Sequence, residues 1–264
     1  MNPAGPRLTE AQVAEVAALV VATADAAILP RFRALAEGDI ALKGPNDYVT
    51  AADLDAEARL TPALAALLPG SAVVGEEAVA KDRGVLDRLG EPAPVWIVDP
   101  LDGTANFAAG RTPFCSIVAL AVGGVPLAGW VYEPATRDLL TAVRGGGARF
   151  NGRPARLTAS VRASIYGKTL RRRAEESGRF GEFVDERCAG AVYLDLARGR
   201  IGLACFTRTL PWDHAAGSLA VAEMGGMAAF LDDQAPYDAR RHVGPLLHAA
   251  SRDSWDAAAA LLRG

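Results

Sequence analysis

Two segments near the start of the chain carry apolar residues at helical spacing, and a capping-box pattern precedes each of them. The first follows Thr9, which is matched by Gln12 three positions later, and its spacing predicts one long helix. The regularly spaced apolar residues of this helix are Val13, Val16, Val20 and Ala24. The second segment follows Thr50 and Asp53, and Pro62 within it predicts a kink or a restart of the helix.

The middle of the chain changes to short β-like runs bounded by glycine or proline, which predict a sheet. These runs occupy residues 71–74, 95–98, 114–122 and 127–132. The stretch 138–157 extends the sheet, because the glycines at 145–147 and the Asn151-Gly152 pair are hairpin signals. No Gly-Lys-Ser/Thr follows these glycines, so they are not a P-loop.

The pattern changes again near residue 156, and we expect two halves, residues 1–155 and 156–264. The second half begins with a strand-like segment at 163–166 and an Arg- and Glu-rich helix. Further along, it predicts a helix at 214–223 stopped by two glycines, a strand at 246–251 and a last helix at 253–262. Because the chain shows no internal repeat and no long linker, the halves are expected to share an interface.

Composition and charge narrow the class of protein. Half of the 264 residues are apolar, so the chain can bury a sizeable core. A net charge of −3 argues against a nucleic-acid partner. The N-terminus has neither a cationic start nor an apolar signal core, and no stretch approaches the roughly 20 uncharged residues that a membrane span requires. We therefore expect a cytoplasmic protein with no membrane partner. The odd set Cys115, Cys188 and Cys205 suggests reduced, buried thiols.

Acidic residues stand where several predicted elements end or begin. Asp99 and Asp102 flank Pro100-Leu101 after the apolar run WIV, Glu76 follows the run SAVV and a glycine, and Asp213 precedes a helix of small residues. Each has an ordinary explanation, since Asp, Pro and Gly favour turns and Asp213 could cap a helix. Strand-end loops are nevertheless where α/β proteins gather their chemistry.

If these four acids converge, the site needs cations. Carboxylates about 4 Å apart repel by roughly 4 kcal/mol per pair at an effective dielectric constant near 20. Oxygen ligands without nearby His or Cys favour Mg²⁺, and the Leu101 carbonyl could add a further ligand. The N–H groups of Gly103, Thr104 and Ala105 could hold a phosphate if a helix starts there. A helix end offers only about half a unit of charge, so metal ions would carry the larger share.

These motifs together resemble the inositol monophosphatase family of Mg²⁺-dependent, lithium-sensitive phosphatases. The segment WIVDPLDGTANF, with Gly-Glu-Glu before it and Trp-Asp-His-Ala-Ala-Gly after it, matches the family in order and approximate spacing. Lys43 and the segment from Asp47 to Asp53 match a further family motif. The resemblance implies a five-layered αβαβα sandwich of the sugar phosphatase type, an α/β (α+β) fold. It also implies a phosphomonoesterase that acts on a small phosphorylated metabolite, and a homodimer.

The resemblance also implies a role for each matched residue. The first Mg²⁺ would bind Glu76, Asp99 and the Leu101 carbonyl, and the second would bind Asp99, Asp102 and Asp213. A third, weaker ion near Glu76 is known in relatives, which gives two or three ions per subunit. Asp53 and Thr104, with Glu76 beside them, would be the catalytic residues that orient and deprotonate the attacking water. Asp53 could equally be the acid of a capping box.

The residues expected to contact the substrate depart from the inositol enzymes. Phe206 stands seven positions before Asp213, where those enzymes carry an acid that binds inositol hydroxyls, so inositol phosphate is a doubtful substrate. Arg208 could meet a carboxylate, a second phosphate or a base, and Lys43 is expected near the site by its motif. The open alternatives are the branches that hydrolyse histidinol phosphate, fructose 1,6-bisphosphate or adenosine 3′,5′-bisphosphate. A metal-binding regulatory protein without turnover is a further alternative.

Overall fold

The computed structural model describes residues 6–36, 38–44 and 47–264. The first five residues of the N-terminal segment considered above therefore lie outside the described part. The helices are α1 (Glu10–Thr23), α2 (Ala51–Leu67), α3 (Glu76–Lys81), α4 (Thr104–Ala108), α5 (Lys168–Glu176), α6 (Ala189–Ala197), α7 (Pro211–Glu223) and α8 (Arg252–Arg263). A π-helical turn, Ala24–Ile28, and a 3-10 turn, Leu29–Arg31, continue α1, and a 3-10 segment, Arg83–Gly90, follows α3.

The strands form two sheets and one hairpin. They are β1 (Ile40–Gly44), β2 (Asp47–Thr50), β3 (Ala72–Gly75), β4 (Pro94–Asp102), β5 (Cys115–Val122), β6 (Val125–Glu133), β7 (Asp138–Val143), β8 (Gly147–Phe150), β9 (Arg153–Pro154), β10 (Arg162–Ile165), β11 (Glu182–Phe183), β12 (Leu203–Phe206), β13 (Met227–Phe230) and β14 (Leu246–Ala249). The large sheet has the order β3-β4-β5-β6-β7-β8-β9, the small one β11-β10-β12-β14-β13, and β1 pairs with β2.

Strand alternation divides the core into three parts and produces five layers. On β4, Trp96 and Val98 face the core formed with α1 and α2, whereas Val95 and Ile97 face α6 and α7. The small sheet closes the other side of α6 and α7 through residues such as Phe206. Its opposite face packs against α5 and α8 around Trp255 and other buried residues. The molecule is thus the αβαβα sandwich that the resemblance implied.

The local signals near the N-terminus predict both helix starts. Of the kink or restart expected at Pro62, the restart is wrong and the kink stays a prediction. Thr9 with Gln12 and Thr50 with Asp53 both form capping boxes. The second helix runs from Ala51 to Leu67 without a restart at Pro62. The pyrrolidine ring is exposed to solvent, and buried residues on the opposite face of α2 hold the helix in place. The division of the chain at residue 155 stays a prediction.

One helical run corrects the expectation about apolar stretches. Glu10–Arg31, 22 residues, is long and apolar enough to cross a membrane by length and composition alone. In the structure, 33% of its most apolar window is buried inside the molecule. Val16 and Val20 contribute to the core with α2, and the Trp130 indole donates a hydrogen bond to the Val13 carbonyl at 3.1 Å. The core helix of a globular protein passes the same test of length and composition.

Candidate active site

A β-bulge in β4 brings Asp99 and Asp102 to one side of the large sheet. Residues three apart on a regular strand point to opposite faces. Here Asp99 pairs with Ile117 and Asp102 pairs with Cys115, so β4 carries one more residue than β5 between the two pairs. Because Ile117 and Cys115 both face α6 and α7, the two acids face the same layer.

Helix α7 supplies Asp213 from that layer. Its N-cap is Leu210 and Pro211 is its first residue, so Asp213 lies in the first turn and is not the cap. The ligand oxygens of Asp99, Asp102 and Asp213 all lie within 4.8 Å of one another. Three of the four predicted acidic ligands therefore form one cluster, assembled from two distant segments of the chain.

Glu76, the fourth acid, stands at the end of β3, which runs parallel to β4. Gly75 pairs with Val98, which places Glu76 level with Asp99 at the adjoining strand end. The Glu57 carboxylate accepts hydrogen bonds from the N–H groups of Glu77 and Ala78 at 2.9 and 2.8 Å, and so holds the first turn of α3. The negative charge of Glu76 contributes to raising the pKa of the Asp99 carboxyl.

Asp53 both closes the capping box of α2 and contacts the acid cluster's turn. Its Oδ2 accepts hydrogen bonds from the Thr50 N–H at 2.8 Å and the Thr50 hydroxyl at 2.5 Å. Its Oδ1 lies 3.0 Å from the Thr104 hydroxyl, which is also 2.8 Å from the Leu101 carbonyl. Burial raises the pKa of Asp53 to about 7, against the opposing effect of the two Thr50 hydrogen bonds.

Burial and mutual repulsion dominate the electrostatics of the cluster. The pKa of Asp99 is raised well above its usual value by burial, then by the charges of Glu76 and Asp102. Burial also raises the pKa of Asp102, although the Gly190 N–H at 2.6 Å and the Cys188 thiol at 3.0 Å donate to its Oδ2. Burial, followed by Asp102, raises the pKa of Asp213. As bare anions these acids are unfavourable, and divalent cations would neutralise them.

Two adjoining cavities open on the cluster. The first, about 210 Å³, is lined by Tyr48, Glu76, Asp99, Leu101, Asp102, Gly103, Thr104, Ala105, Arg187, Arg208, Leu210, Trp212 and Asp213. The second, about 320 Å³, is lined by Asp102, Tyr166, Arg187, Cys188, Ala189, Phe206, Thr207, Arg208, Asp213 and His214. Every predicted metal ligand and phosphate contact therefore lines the first cavity. Arg208 lines both cavities, and Phe206 lines the second.

The turn that follows β4 has the conformation needed to start a helix beside the acids. Gly103 is the N-cap of α4 and has φ 84°, a left-handed conformation that favours glycine. A Cβ there would also lie 3.1 Å from the Pro113 carbonyl oxygen and 3.2 Å from the Cys188 Cβ. The helix begins at Thr104, which is the condition for the predicted phosphate contact of the N–H groups at Gly103, Thr104 and Ala105.

Lys43 is the predicted substrate contact that lines neither cavity. Its ammonium lies 2.7 Å from Glu76 Oε1 and 2.9 Å from Glu77 Oε1. The side chain therefore contacts the acids of α3 in this structure, and direct contact with substrate stays a prediction.

Several residues at the site carry no signal that sequence patterns could reveal. Glu57 lies 20 positions from Glu77, and Gly190 lies 88 positions from Asp102. Arg187 lines both cavities. It immediately precedes the segment 188–206, in which apolar and small residues alternate. Glu57 comes from α2 and Gly190 from α6, so only the packing of these helices against the sheet brings the residues to the acids.

Fold and acid cluster together define a layered αβαβα sandwich with a group of carboxylates that could hold a metal ion. The chain belongs to the inositol monophosphatase family, whose model matches residues 9–262. Members of this family are metal-dependent phosphatases that act on small phosphorylated substrates. The resemblance found in the motifs is thereby confirmed.

Individual relatives agree with this assignment. The chain is 36% identical over 210 residues to an inositol-1-monophosphatase of Mesorhizobium japonicum, covering 73% of this chain and 76% of that relative. It is 34% identical over 202 residues to the Nus factor SuhB of Vibrio cholerae, covering 70% and 72%. Its fold matches an IMPase/NADP phosphatase complexed with NADP and Ca²⁺, with a TM-score of 0.82 and 21% identity over 97% of both chains.

Proposed function

We propose that this chain is a Mg²⁺-dependent phosphomonoesterase that hydrolyses a small phosphorylated metabolite with two metal ions. The observation that carries the proposal is the convergence of Asp99, Asp102 and Asp213 with their ligand oxygens within 4.8 Å. An oxygen-only donor set suits Mg²⁺ better than a softer metal. The raised pKa values of the three acids also fit a site in which cations replace protons.

The residues at the cluster divide naturally between two ions. Glu76, Asp99 and the Leu101 carbonyl would hold the first ion, and Asp99, Asp102 and Asp213 would hold the second. A third, weaker ion would bind near Glu76. When bound, Mg²⁺ supplies the positive charge that stabilises the phosphate and the leaving oxygen. The N–H groups at Gly103, Thr104 and Ala105 would position the phosphate at the start of α4.

Thr104 and Asp53 are placed to move a proton from the attacking water. The Thr104 hydroxyl has one proton, which it can donate either to the Leu101 carbonyl or to Asp53 Oδ1. If the Leu101 carbonyl held a metal ion, the Thr104 hydroxyl would donate to Asp53 Oδ1, and its oxygen could accept a hydrogen bond from the attacking water. As the water oxygen forms its bond to phosphorus, the water would give a proton to the Thr104 oxygen and Thr104 would give its own proton to Asp53. The bond to the leaving oxygen would break, and solvent would protonate the alkoxide.

The decisive experiment compares wild type with Asp99→Asn on a broad panel of phosphomonoesters, with and without Mg²⁺. We expect the wild type to release phosphate only with Mg²⁺, and kcat to fall at least about 100-fold in the variant. In the metal-free protein at pH 8 we expect Asp99→Asn to be more stable than wild type, since it removes a carboxyl whose ionisation is disfavoured by burial and by the neighbouring acids. Mg²⁺ should then raise the Tm of the wild type more than that of the variant. An exposed-acid variant, Glu91→Gln, should match wild type in all three measurements.

The main rival is a metal-binding regulatory protein without turnover. The relative SuhB of Vibrio cholerae is a Nus factor, which keeps that rival in view. The Thr104–Asp53 contact favours an enzyme, because ion binding alone does not require a hydroxyl and an acid in line. A wild-type protein that binds Mg²⁺ but cleaves nothing on the panel would favour the regulatory function. Among enzymes, the histidinol phosphate, fructose bisphosphate and adenosine bisphosphate branches are the alternative substrates.

Three further properties follow from family membership as part of the same proposal. We expect inhibition by lithium, a homodimer and a cytoplasmic location. Lithium titration of the phosphatase activity and light scattering of the purified protein test the first two. Fractionation of the native host tests the third.

A further inference from the structure

Two arginines on the rim shared by both cavities have no use in the proposed chemistry. Arg187 and Arg208 line both cavities, alongside Asp102 and Asp213. Both side chains are exposed. Neither forms an ion pair within 4.0 Å with a carboxylate in the part of the chain that the structure describes. Two guanidinium groups are therefore available to a ligand beside the predicted phosphate site.

The backbone at each arginine is fixed by hydrogen bonds of its neighbours. On one side of Arg187, the Glu186 carbonyl accepts from the Asn106 amide at 2.9 Å. On the other side, the Cys188 thiol and the Gly190 N–H donate to Asp102. Arg187 itself has φ 51°, a left-handed conformation that is uncommon for a residue with a side chain. These contacts fix the backbone position from which the Arg187 side chain extends.

Arg208 is fixed through a buried histidine. A carbonyl oxygen can only accept, so His214 Nε2 donates to the Arg208 carbonyl at 2.8 Å. The Nδ1 of the same ring lies 2.9 Å from the Tyr193 hydroxyl, within hydrogen-bond distance. His214 lines the second cavity, but both of its ring nitrogens have protein partners.

The wall of the second cavity offers few side-chain acceptors to a polyol. Phe206 stacks on Tyr166 with ring centroids 5.2 Å apart and an interplanar angle of 12°. Apart from the two acids predicted to hold metal, the residues lining this cavity include no carboxylate and no side-chain amide. Sugar hydroxyls that need such acceptors would lose hydrogen bonds on entering it. An apolar or planar surface would instead pack on the aromatic pair.

We propose that the leaving group of the substrate carries a second anion, either a carboxylate or a phosphate, which binds between Arg187 and Arg208. The carbon skeleton then lies against Phe206 and Tyr166. This inference rests on the proposed function and adds to it a substrate class and two specificity-determining residues. The rival use of the two guanidiniums is to bind the phosphate that is being transferred. In that case all phosphomonoesters would benefit equally, whatever their leaving group.

A matched pair of probes separates these uses. 3-Phosphoglycerate and glycerol 3-phosphate differ by a carboxylate in place of a hydroxymethyl group, and kcat/KM is measured for each with Mg²⁺. Adenosine 3′,5′-bisphosphate and adenosine 3′-monophosphate form a second pair that tests a phosphate as the second anion on a planar leaving group. We expect at least one anionic probe to exceed its neutral counterpart by about tenfold or more in the wild type. In the double variant Arg187→Gln/Arg208→Gln, that ratio should approach one.

Controls make each outcome decisive. Arg179→Gln, an exposed arginine that lines neither cavity, should keep the wild-type ratio, and thermal unfolding checks that each variant is folded. A wild-type ratio near one, or equal losses for both members of a pair in the double variant, overturns the inference. Calorimetric binding of the same probes reports the preference without turnover. Binding that favours the anionic probe while nothing is hydrolysed would reject the proposed function and keep the anion site.

Discussion

The sharpest prediction concerns Gly75, which immediately precedes Glu76. A Cβ at this position would lie 2.4 Å from both Cδ and Oε2 of Glu57, and 2.7 Å from Oε1. These distances are far inside van der Waals contact. Glu57 is buried and cannot move away freely, because its carboxylate holds the Glu77 and Ala78 N–H groups at the start of α3.

Two routes are open to Gly75→Ala, and each has a cost. Forcing the methyl group into place costs about 1–3 kcal/mol of overpacking strain. Moving Glu57 instead loses two hydrogen bonds to a charged group, worth about 1.5–3 kcal/mol each. The cheaper route, or a mixture of the two, gives an expected loss of about 3 kcal/mol in the free energy of unfolding. Because α3 then loses its anchor, the Mg²⁺ concentration for half-maximal activity should rise about tenfold.

A double-mutant cycle with Glu57→Ala tests the cause. Once the Glu57 side chain is removed, the methyl group has room, and Gly75→Ala should change stability by less than about 1 kcal/mol. Urea unfolding of the four proteins gives the coupling energy, which we expect to be about 3 kcal/mol in size. Gly90→Ala is the matched control, since a Cβ at Gly90 meets no atom within 4 Å. Additive losses in the cycle, or an equal loss in the control, would refute the reasoning.

Two further variants test buried charge and protonation by urea unfolding. Burial lowers the pKa of His248 to about 3, so the unfolded state binds more protons below pH 6.5 and this residue's stability contribution is lost as the pH falls. Between pH 7 and pH 5, the free energy of unfolding of His248→Gln should therefore fall by about 2 kcal/mol less than that of the wild type. Parallel pH profiles of the two proteins would contradict this. Arg198→Met should lose about 3–5 kcal/mol, because it leaves the buried acids Glu133 and Asp195 without their shared cation. Arg200→Met removes an exposed partner of the same Asp195, so its free energy of unfolding should fall by less than about 1 kcal/mol. Similar losses for the two arginine variants would contradict this reasoning.

Sequence reasoning succeeds where the signal is local. Both capping boxes form because the residues that satisfy the backbone lie three positions apart. The hairpin signals after residue 144 likewise produce β8 and β9, since turn residues act on their immediate neighbours. Pro62 shows the limit of such rules, because packing of Leu60 and Leu64 keeps α2 continuous through a residue that disfavours helix interiors.

Elements with weak patterns, and contacts between distant segments, escape this reasoning. The hairpin of β1 and β2 is partly exposed, with Leu42 65% accessible, so it lacks a clear alternation. The stretch 188–206 turns out to contain α6 and β12, two buried elements that composition alone does not separate. The motifs predict the acids of the site, whereas the residues that support them, such as Glu57 and Gly190, are found only in the three-dimensional structure.

The extra residue in β4 makes the spacing of the two acids unusually intolerant of length changes. Deleting either Pro100 or Leu101 would remove the extra residue of β4 and restore its regular pairing with β5. Asp102 would then stand two positions after Asp99 without the turn that presents the Leu101 carbonyl and begins α4 at Thr104. Lengthening the stretch by one residue would rotate Asp102 toward the helical layer of α1 and α2. Insertions and deletions should therefore be tolerated in surface loops of this protein long before they are tolerated between Asp99 and Asp102.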